Sequence, residues 1–423
     1  MAARSGSASL PLHHGRVPPW LASRMSAVGT AIAEVVVLYE GRDGFLRRLS
    51  DPFWFQSFGA VMGMDWHSSG ITTSVMGALK RGLSPKAKEL GIHVLGGRGR
   101  HSRNTPSELI AVAEKTGLDG EALVRASKLT AKVDNTAVQD GYSLYLHSFV
   151  VTDDGKWVVV QQGMNGAEKT ARRYHWRSES VSSFVEEPHD AVVGPHQGEI
   201  INLTDRRAAQ ARESTSALAA QGPDKALRTV TDASRRFLQM PEHHDVRLTD
   251  VFLRRLHGVL ATAADRGVSD FESLLLTEGV GPRTLQALAL TAEVAFGAPS
   301  RFDDPARFSF AHGGKDGHPF PVPLKVYDKT ISTLRHALAR ASLGQNDKIE
   351  AFRRLDRQAR EMERIAAGPS LDEIIENEWR QSPAYGGMTV MGLASDAVYE
   401  KVRGPRPKPK KSPPADRQLK LFR

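Results

Sequence analysis

The sequence predicts an α+β (mixed) protein: an N-terminal α/β domain built on an antiparallel hairpin, then a mostly helical domain with a helix-hairpin-helix, then a disordered basic tail. Three observations carry this. Apolar residues recur at helical spacing through 17–50, 243–297 and 323–366. Near Tyr142 the pattern becomes strand-like, with Y-S-L-Y-L-H-S-F-V-V and W-V-V-V-Q-Q-G flanking the turn T-D-D-G-K. After Lys401, G-P-R-P-K-P-K-K-S-P-P carries proline too densely for helix or strand. The expected organisation is 1–204 (α/β), 205–240 (a helical connection), 241–400 (helical) and 401–423 (tail).

In chain order, Pro18 and Pro19 precede an apolar series at three- and four-residue spacing, Ala22, Met25, Val28, Ile32, Val36 and Tyr39, which predicts a helix over 17–50. Residues 49–73 are aromatic and then broken by glycines, so they read as core running into a polar loop. T-P-S-E at 105–108 predicts a helix to about Glu114, with Thr105 as N-cap and Glu108 closing a capping box. Residues from Asp205 to about Leu238 are rich in Ala, Arg, Gln and Ser and read as helical. No repeat of 20 to 50 residues is present.

Composition narrows the chemistry. With no cysteine in 423 residues, disulfides, thiolate nucleophiles and cysteine-based metal sites are excluded. The absence of a long apolar run and of a signal-peptide pattern sets the expectation of a cytoplasmic, nucleoid-associated protein that does not enter the membrane. The net charge of +9 is concentrated in the tail, where residues 401–423 hold nine Lys/Arg and one Asp. The remaining 400 residues are nearly balanced, at 48 basic to 47 acidic groups. The tail is therefore drawn to polyanions, and the charge says little about the folded surface.

L-L-L-T-E-G-V-G-P-R-T-L-Q-A-L-A-L (274–290) resembles the helix-hairpin-helix of DNA-binding proteins. Gly279 and Gly281 allow a tight turn, Val280 anchors it, and Pro282 opens the second helix, whose free N–H groups face a phosphate. Arg283 and Thr284 are expected to add side-chain contacts. Glu278 departs from the proline common in that motif, and a plain glycine turn between packed helices fits the same residues. Hairpins of this kind also occur in base-excision glycosylases, where an aspartate follows the second helix. Asp304 stands at about that distance, and a carboxylate there would stabilise an oxocarbenium-like sugar. Arg283 replaces the lysine of the lyase-active members. In the glycine-rich loop F-A-H-G-G-K-D-G-H-P-F (310–320), His312 and Lys315 are further expected DNA contacts.

Polar groups cluster before residue 180. Asp140 precedes the first hairpin strand and Gln161 and Gln162 close the second, so pairing is expected to bring their oxygens to one end of the ribbon. Asp65, Asp134, Asp140 and Gln161 form an oxygen-rich set suited to a hard divalent ion, Mg²⁺ or Mn²⁺. Lys128, Lys132, Arg172 and Arg173 would then clamp phosphate, with His67 or His175 transferring protons. This parts list resembles that of a metal-dependent nuclease, although no nuclease motif is present. Alternatively, each cluster is structural and the chain is a non-catalytic DNA-binding adaptor.

The motifs L-P-L-H-H-G-R-V-P-P-W-L, R-L-S-D-P-F-W-F-Q, D-W-H-S-S-G-I-T-T, A-K-V-D-N-T-A-V-Q-D-G-Y, V-V-Q-Q-G-M-N, A-R-R-Y-H-W and D-P-A-R-F-S-F-A-H-G-G-K-D-G are similar to those of the bacterial and archaeal family called domain of unknown function 763, over about residues 10–345. That resemblance implies no reaction. The last residues, Q-L-K-L-F, resemble the short peptide that docks bacterial polymerases and repair proteins on the sliding clamp. Gln418 would bond the pocket rim while Leu419, Leu421 and Phe422 fill an apolar cleft, with Lys420 as the departure from the usual form.

Overall fold

The computed structural model describes residues 19–64, 70–236, 250–306, 324–341, 344, 346–355, 380, 388–389 and 392–393. The first described elements are three helices, α1 (Pro19–Ser50), α2 (Pro52–Met62) and α3 (Gly70–Leu83). α1 is broken at Gly41 (φ 73°, ψ 176°). By length and composition its Ala22–Ser50 stretch is apolar enough to cross a membrane. In the fold, Met25, Ile32, Val36, Phe45 and Leu49 are buried in the cluster that also holds Trp54, Phe55 and Phe58 of α2. Asp51 caps α2, accepting from the N–H groups of Phe53 (2.9 Å) and Trp54 (3.2 Å), and Pro52 takes the first helical position. The aromatic run expected as core is thus a fully buried helix.

The next elements are α4 (Ala87–Leu90), β1 (Ile92–Arg98), α5 (Arg100–Arg103), α6 (Thr105–Thr116) and α7 (Gly120–Lys132), followed by a π-helical turn (Val133–Ala137) and β2 (Val138–Gln139). The capping box expected at α6 does not form. Thr105 lies inside the helix, its hydroxyl donates to Ser102 O, and Glu108 turns away to Lys80 and the Gly96 N–H. A tertiary ion pair wins over the local cap because the β1 turn comes within reach.

The hairpin forms at its expected place, as β3 (Ser143–Thr152) and β4 (Trp157–Asn165) joined through Gly155, whose N–H donates to Thr152 O. Then follow β5 (Thr170–Arg177), β6 (Ala191–Val193) and β7 (Glu199–Asn202). β1, β3, β4, β5 and β6 make one antiparallel sheet in that order. Alternation of side chains sorts the two faces. Val94, Val150, Val158 and Val160 join the α1–α3 cluster, while Leu95, Phe149, Val151, Val159, Tyr174 and Trp176 face α6 and α7. With both faces covered, the central strands are almost continuously apolar.

The remainder is largely helical: α8 (Ala209–Ala220), α9 (Pro223–Arg236), α10 (Asp250–Asp265), α11 (Phe271–Leu276), α12 (Pro282–Phe296), strand β8 (Arg301–Asp303) and α13 (Leu324–Arg340). β2, β7 and β8 form a small second sheet. The described residues up to 355 fall in one compact unit, in which Leu218, Val230, Leu256, Val280 and Leu285 enter the same core as Phe149 and Trp176. In the second unit (368–423), β9 (Met388–Thr389) pairs with β10 (Gly392–Leu393).

Candidate functional site

The described polar residues singled out in the sequence fall mainly into three buried networks around the main sheet and one hairpin at the surface. The first network centres on Arg172. It sits on the inward face of β5, donating to Asp140 (2.7 Å) and to both oxygens of Asp304 (2.9 and 2.6 Å). All three side chains are completely buried. Arg172 also donates to Pro195 O and lies 4.6 Å from the centre of the Tyr142 ring. Asp140 further accepts from the Tyr142 N–H (3.0 Å) and the Tyr174 hydroxyl (2.7 Å), and Asp304 from the N–H groups of Gln197 (2.8 Å) and Ala306 (2.9 Å). Burial, reinforced by the neighbouring Asp304 charge, pushes the Asp140 carboxyl up against the pull of Arg172, while the two carboxylates hold Arg172 charged.

The second network lies on the same face. Asp134, in the π-helical turn, accepts from Gln161 Nε2 (2.6 Å), Trp176 Nε1 (3.0 Å) and His189 Nε2 (2.5 Å). A carboxylate accepting from Nε2 fixes the Gln161 amide, so its Oε1 accepts from His147 Nδ1 (2.8 Å). His147 Nε2 is then the acceptor, and the Ser127 hydroxyl donates to it at 2.9 Å. Burial holds His147 at about 4, and it raises Asp134 against its three donors. Ser127, like His147, is closed off from solvent, so the relay ends inside the core.

The third network occupies the opposite face. Arg173 Nε donates to His175 Nε2 (2.7 Å), Arg173 Nη1 to Gln56 Oε1 (3.0 Å), and the guanidinium stacks 4.6 Å from the Phe55 ring. Accepting at Nε2, His175 donates from Nδ1 to Leu49 O (3.1 Å). Burial and the adjacent Arg173 charge hold His175 well below the ordinary histidine range. Arg172 and Arg173, expected to clamp phosphate together, are adjacent strand residues, so they point to opposite faces.

Among the described residues, Asp134, Asp140 and Gln161 do not converge on a shared cation site. Asp134 and Gln161 meet, but through an amide N–H donating to the carboxylate. Asp140 belongs to the Arg172 network, and its oxygens face a guanidinium, a hydroxyl and an N–H. Among the described residues no three His, Asp or Glu side chains could hold a metal ion. N–H donors and an arginine do not fit a divalent cation at these carboxylates, which require oxygen ligands around the ion. Asp65 and His67 lie outside the described residues, as do His312, Lys315 and the clamp-like Gln418, Leu419, Leu421 and Phe422. For Asp304, four donors in a closed setting replace the open carboxylate expected of a glycosylase.

The glycine turn lies at the surface. α11 ends at Thr277, Gly279 takes a left-handed backbone (φ 81°), Val280 is buried, and Pro282 opens α12. Only glycine fits at 279, since a Cβ there would meet Val259 Cγ2 at 2.8 Å. Gly281 is the N-cap residue and supplies no side-chain bond to the start of α12; Pro282 and Arg283 are exposed, whereas Thr284 is buried. The turn is held from below by residues far away in sequence: Lys132 Nζ donates to Val280 O (2.5 Å), and Gln139 Nε2 to Pro282 O (3.0 Å). Lys132 therefore supports the turn, with burial lowering its ammonium, and the exposed Lys128 lies one helical turn away on α7.

Sequence reasoning did not identify His147, Tyr174, Trp176 and His189 as network members. His147 had a readable signal, sharing the inward alternation of Phe149 and Val151; His189 lies in an irregular segment with none. No curated protein and no solved structure matches the chain. A family model described as "Protein of unknown function (DUF763)" matches residues 6–322. That match covers most of the chain, including all three networks and the glycine turn, and the protein belongs to the DUF763 family.

Proposed function

We propose that this protein is a DNA-binding component of replication or repair that grips the phosphate backbone through the 277–284 turn and is brought to the sliding clamp by its C-terminal peptide. The observation carrying this reading is the turn itself. Gly279 is in the left-handed region, Val280 is anchored, and α12 starts with no side-chain cap beside the exposed Arg283. Uncapped N–H groups at a helix start attract an anion. In this reading the buried networks hold the turn and sheet in place, because Asp140, Asp304, Asp134 and His175 are each engaged by donors or acceptors from other parts of the chain.

The test is fluorescence anisotropy of labelled single-stranded, nicked, flapped and lesion-bearing DNA with the full chain and with Gly279→Val and Arg283→Glu. Both variants should bind less tightly, and equal binding by all three proteins refutes the reading. The same mixtures, incubated with Mg²⁺, Mn²⁺ or chelator, decide between the catalytic alternatives. Cleavage lost in chelator replaces the adaptor reading with a metal-dependent nuclease, and base release requiring Asp304 replaces it with a glycosylase.

A further inference from the structure

The turn after β1 gathers charge unlike the rest of the body. Outside the tail, basic and acidic groups nearly balance, yet Arg98, Arg100, His101 and Arg103 fall within six residues and all are exposed. Glu108 is the single acidic residue between 91 and 113, and it is already engaged. Lys80 Nζ donates to its two oxygens (2.8 and 2.9 Å) and the Gly96 N–H to Oε2 (2.7 Å). Among the described residues, none of the three arginines has a carboxylate partner.

The turn is also built to hold its shape. Lys80 donates to Gly96 O as well (2.9 Å), so one ammonium and one carboxylate clasp both sides of the Gly96 peptide unit. Gly96 is left-handed (φ 76°), and a Cβ there would stand 2.3 Å from His147 O. On the far side, the Gly99 N–H donates to Tyr145 O (3.0 Å), and Ser102 closes the turn on Gly99 O through its hydroxyl (2.6 Å). The half-buried ring of Tyr145 lies 5.8 Å from the Arg98 guanidinium. Cations on a fixed platform beside an aromatic face are the chemistry of single-stranded nucleic-acid contact: guanidinium groups track phosphates and the ring stacks a base.

We propose that residues 97–104 form a contact site for single-stranded nucleic acid, in which Arg98, Arg100 and Arg103 each take a backbone phosphate and Tyr145 offers its ring to a base. This site is separate from the 277–284 turn and does not depend on it. The test uses the full chain and fluorescein-labelled oligo(dT), titrated from about 50 to 200 mM salt, the range over which counterion release dominates affinity. Arg98→Ala/Arg100→Ala/Arg103→Ala is compared with a control of equal charge, Lys88→Ala/Lys115→Ala/Arg266→Ala, drawn from exposed positions elsewhere. The arginine variant should bind roughly tenfold more weakly at low salt, and its slope of log affinity against log salt should fall by about 2, at about 0.7 per lost phosphate contact. The control should keep the slope, and Tyr145→Leu should weaken binding with the slope unchanged. Equal losses in the arginine variant and the control overturn the proposal. So does an unchanged slope in the arginine variant, or a loss confined to anionic phosphatidylserine vesicles while oligo(dT) affinity stays intact.

Discussion

Replacing Arg172 by methionine keeps most of its stem and removes the charge shared by two buried carboxylates. Asp140 keeps the Tyr142 N–H and the Tyr174 hydroxyl, and Asp304 keeps the Gln197 and Ala306 N–H groups. Three charged contacts and the Tyr142 ring contact disappear together. Breaking a buried pair by removing one partner costs about 3–5 kcal/mol, a large share of a total stability of roughly 5–15 kcal/mol. The four remaining donors place the expected loss near the lower end, at about 3 kcal/mol. Urea unfolding followed by tryptophan fluorescence measures it, since Trp54 and Trp176 are buried on opposite faces of the sheet. The loss also has a pH signature. Without the pull of Arg172, burial raises the Asp140 carboxyl further above its unfolded value, so the folded variant gains that proton first and its deficit shrinks as pH falls. Adding Asp140→Asn to Arg172→Met should restore part of the stability by removing one orphaned charge. A loss under about 1 kcal/mol for Arg172→Met, the size of an exposed ion pair, would refute the account of a buried, interdependent network.

Three further outcomes follow, two from the structure and one from the sequence of the tail. His147 and His175 are buried and neutral, with folded values below the unfolded one, so their contribution is complete above about pH 6.5 and is lost as pH falls below it, towards about 4 for His147. Each should cost about 1.4 kcal/mol per pH unit in that window, and His147→Gln should flatten the fall in urea midpoint. Lys132→Met should weaken DNA binding by freeing the Val280 carbonyl from its support, and Lys132→Arg should recover part of it; anisotropy that does not distinguish these proteins argues against a supporting role. Deleting residues 417–423 should abolish capture of a bacterial sliding clamp in calorimetry, and unchanged capture removes the clamp-binding reading.

The legible parts of this fold were those specified locally. The β3–β4 hairpin announces itself through alternation around Asp-Gly, α1 through its spacing, and the 277–284 turn through two glycines and a proline within four residues. β5 was harder to read, because T-A-R-R-Y-H-W-R places two arginines where a buried strand should be apolar. Their burial makes sense only with Asp140 and Asp304 beside one and Gln56 beside the other, and Asp304 and Gln56 lie 132 and 117 residues away. Contacts across the fold also decide what surrounds the oxygens proposed for a metal. Side-chain chemistry showed that Asp134, Asp140 and Gln161 were unusual, but the donors to their oxygens include Trp176 and His189 for Asp134, Arg172 for Asp140 and His147 for Gln161, and only the assembled sheet brings these together. The capping box at Thr105 failed for a related reason, since Glu108 had a better partner across the fold in Lys80.

Hydrogen exchange of the full chain with and without DNA tests the central claim most directly, because it reports on the turn and the buried networks in one measurement. The account predicts new protection in peptides covering 277–284, with peptides covering 134–142 and 170–177 already slow and unchanged. Protection appearing in the network peptides, with the 277–284 turn unaffected, would contradict it.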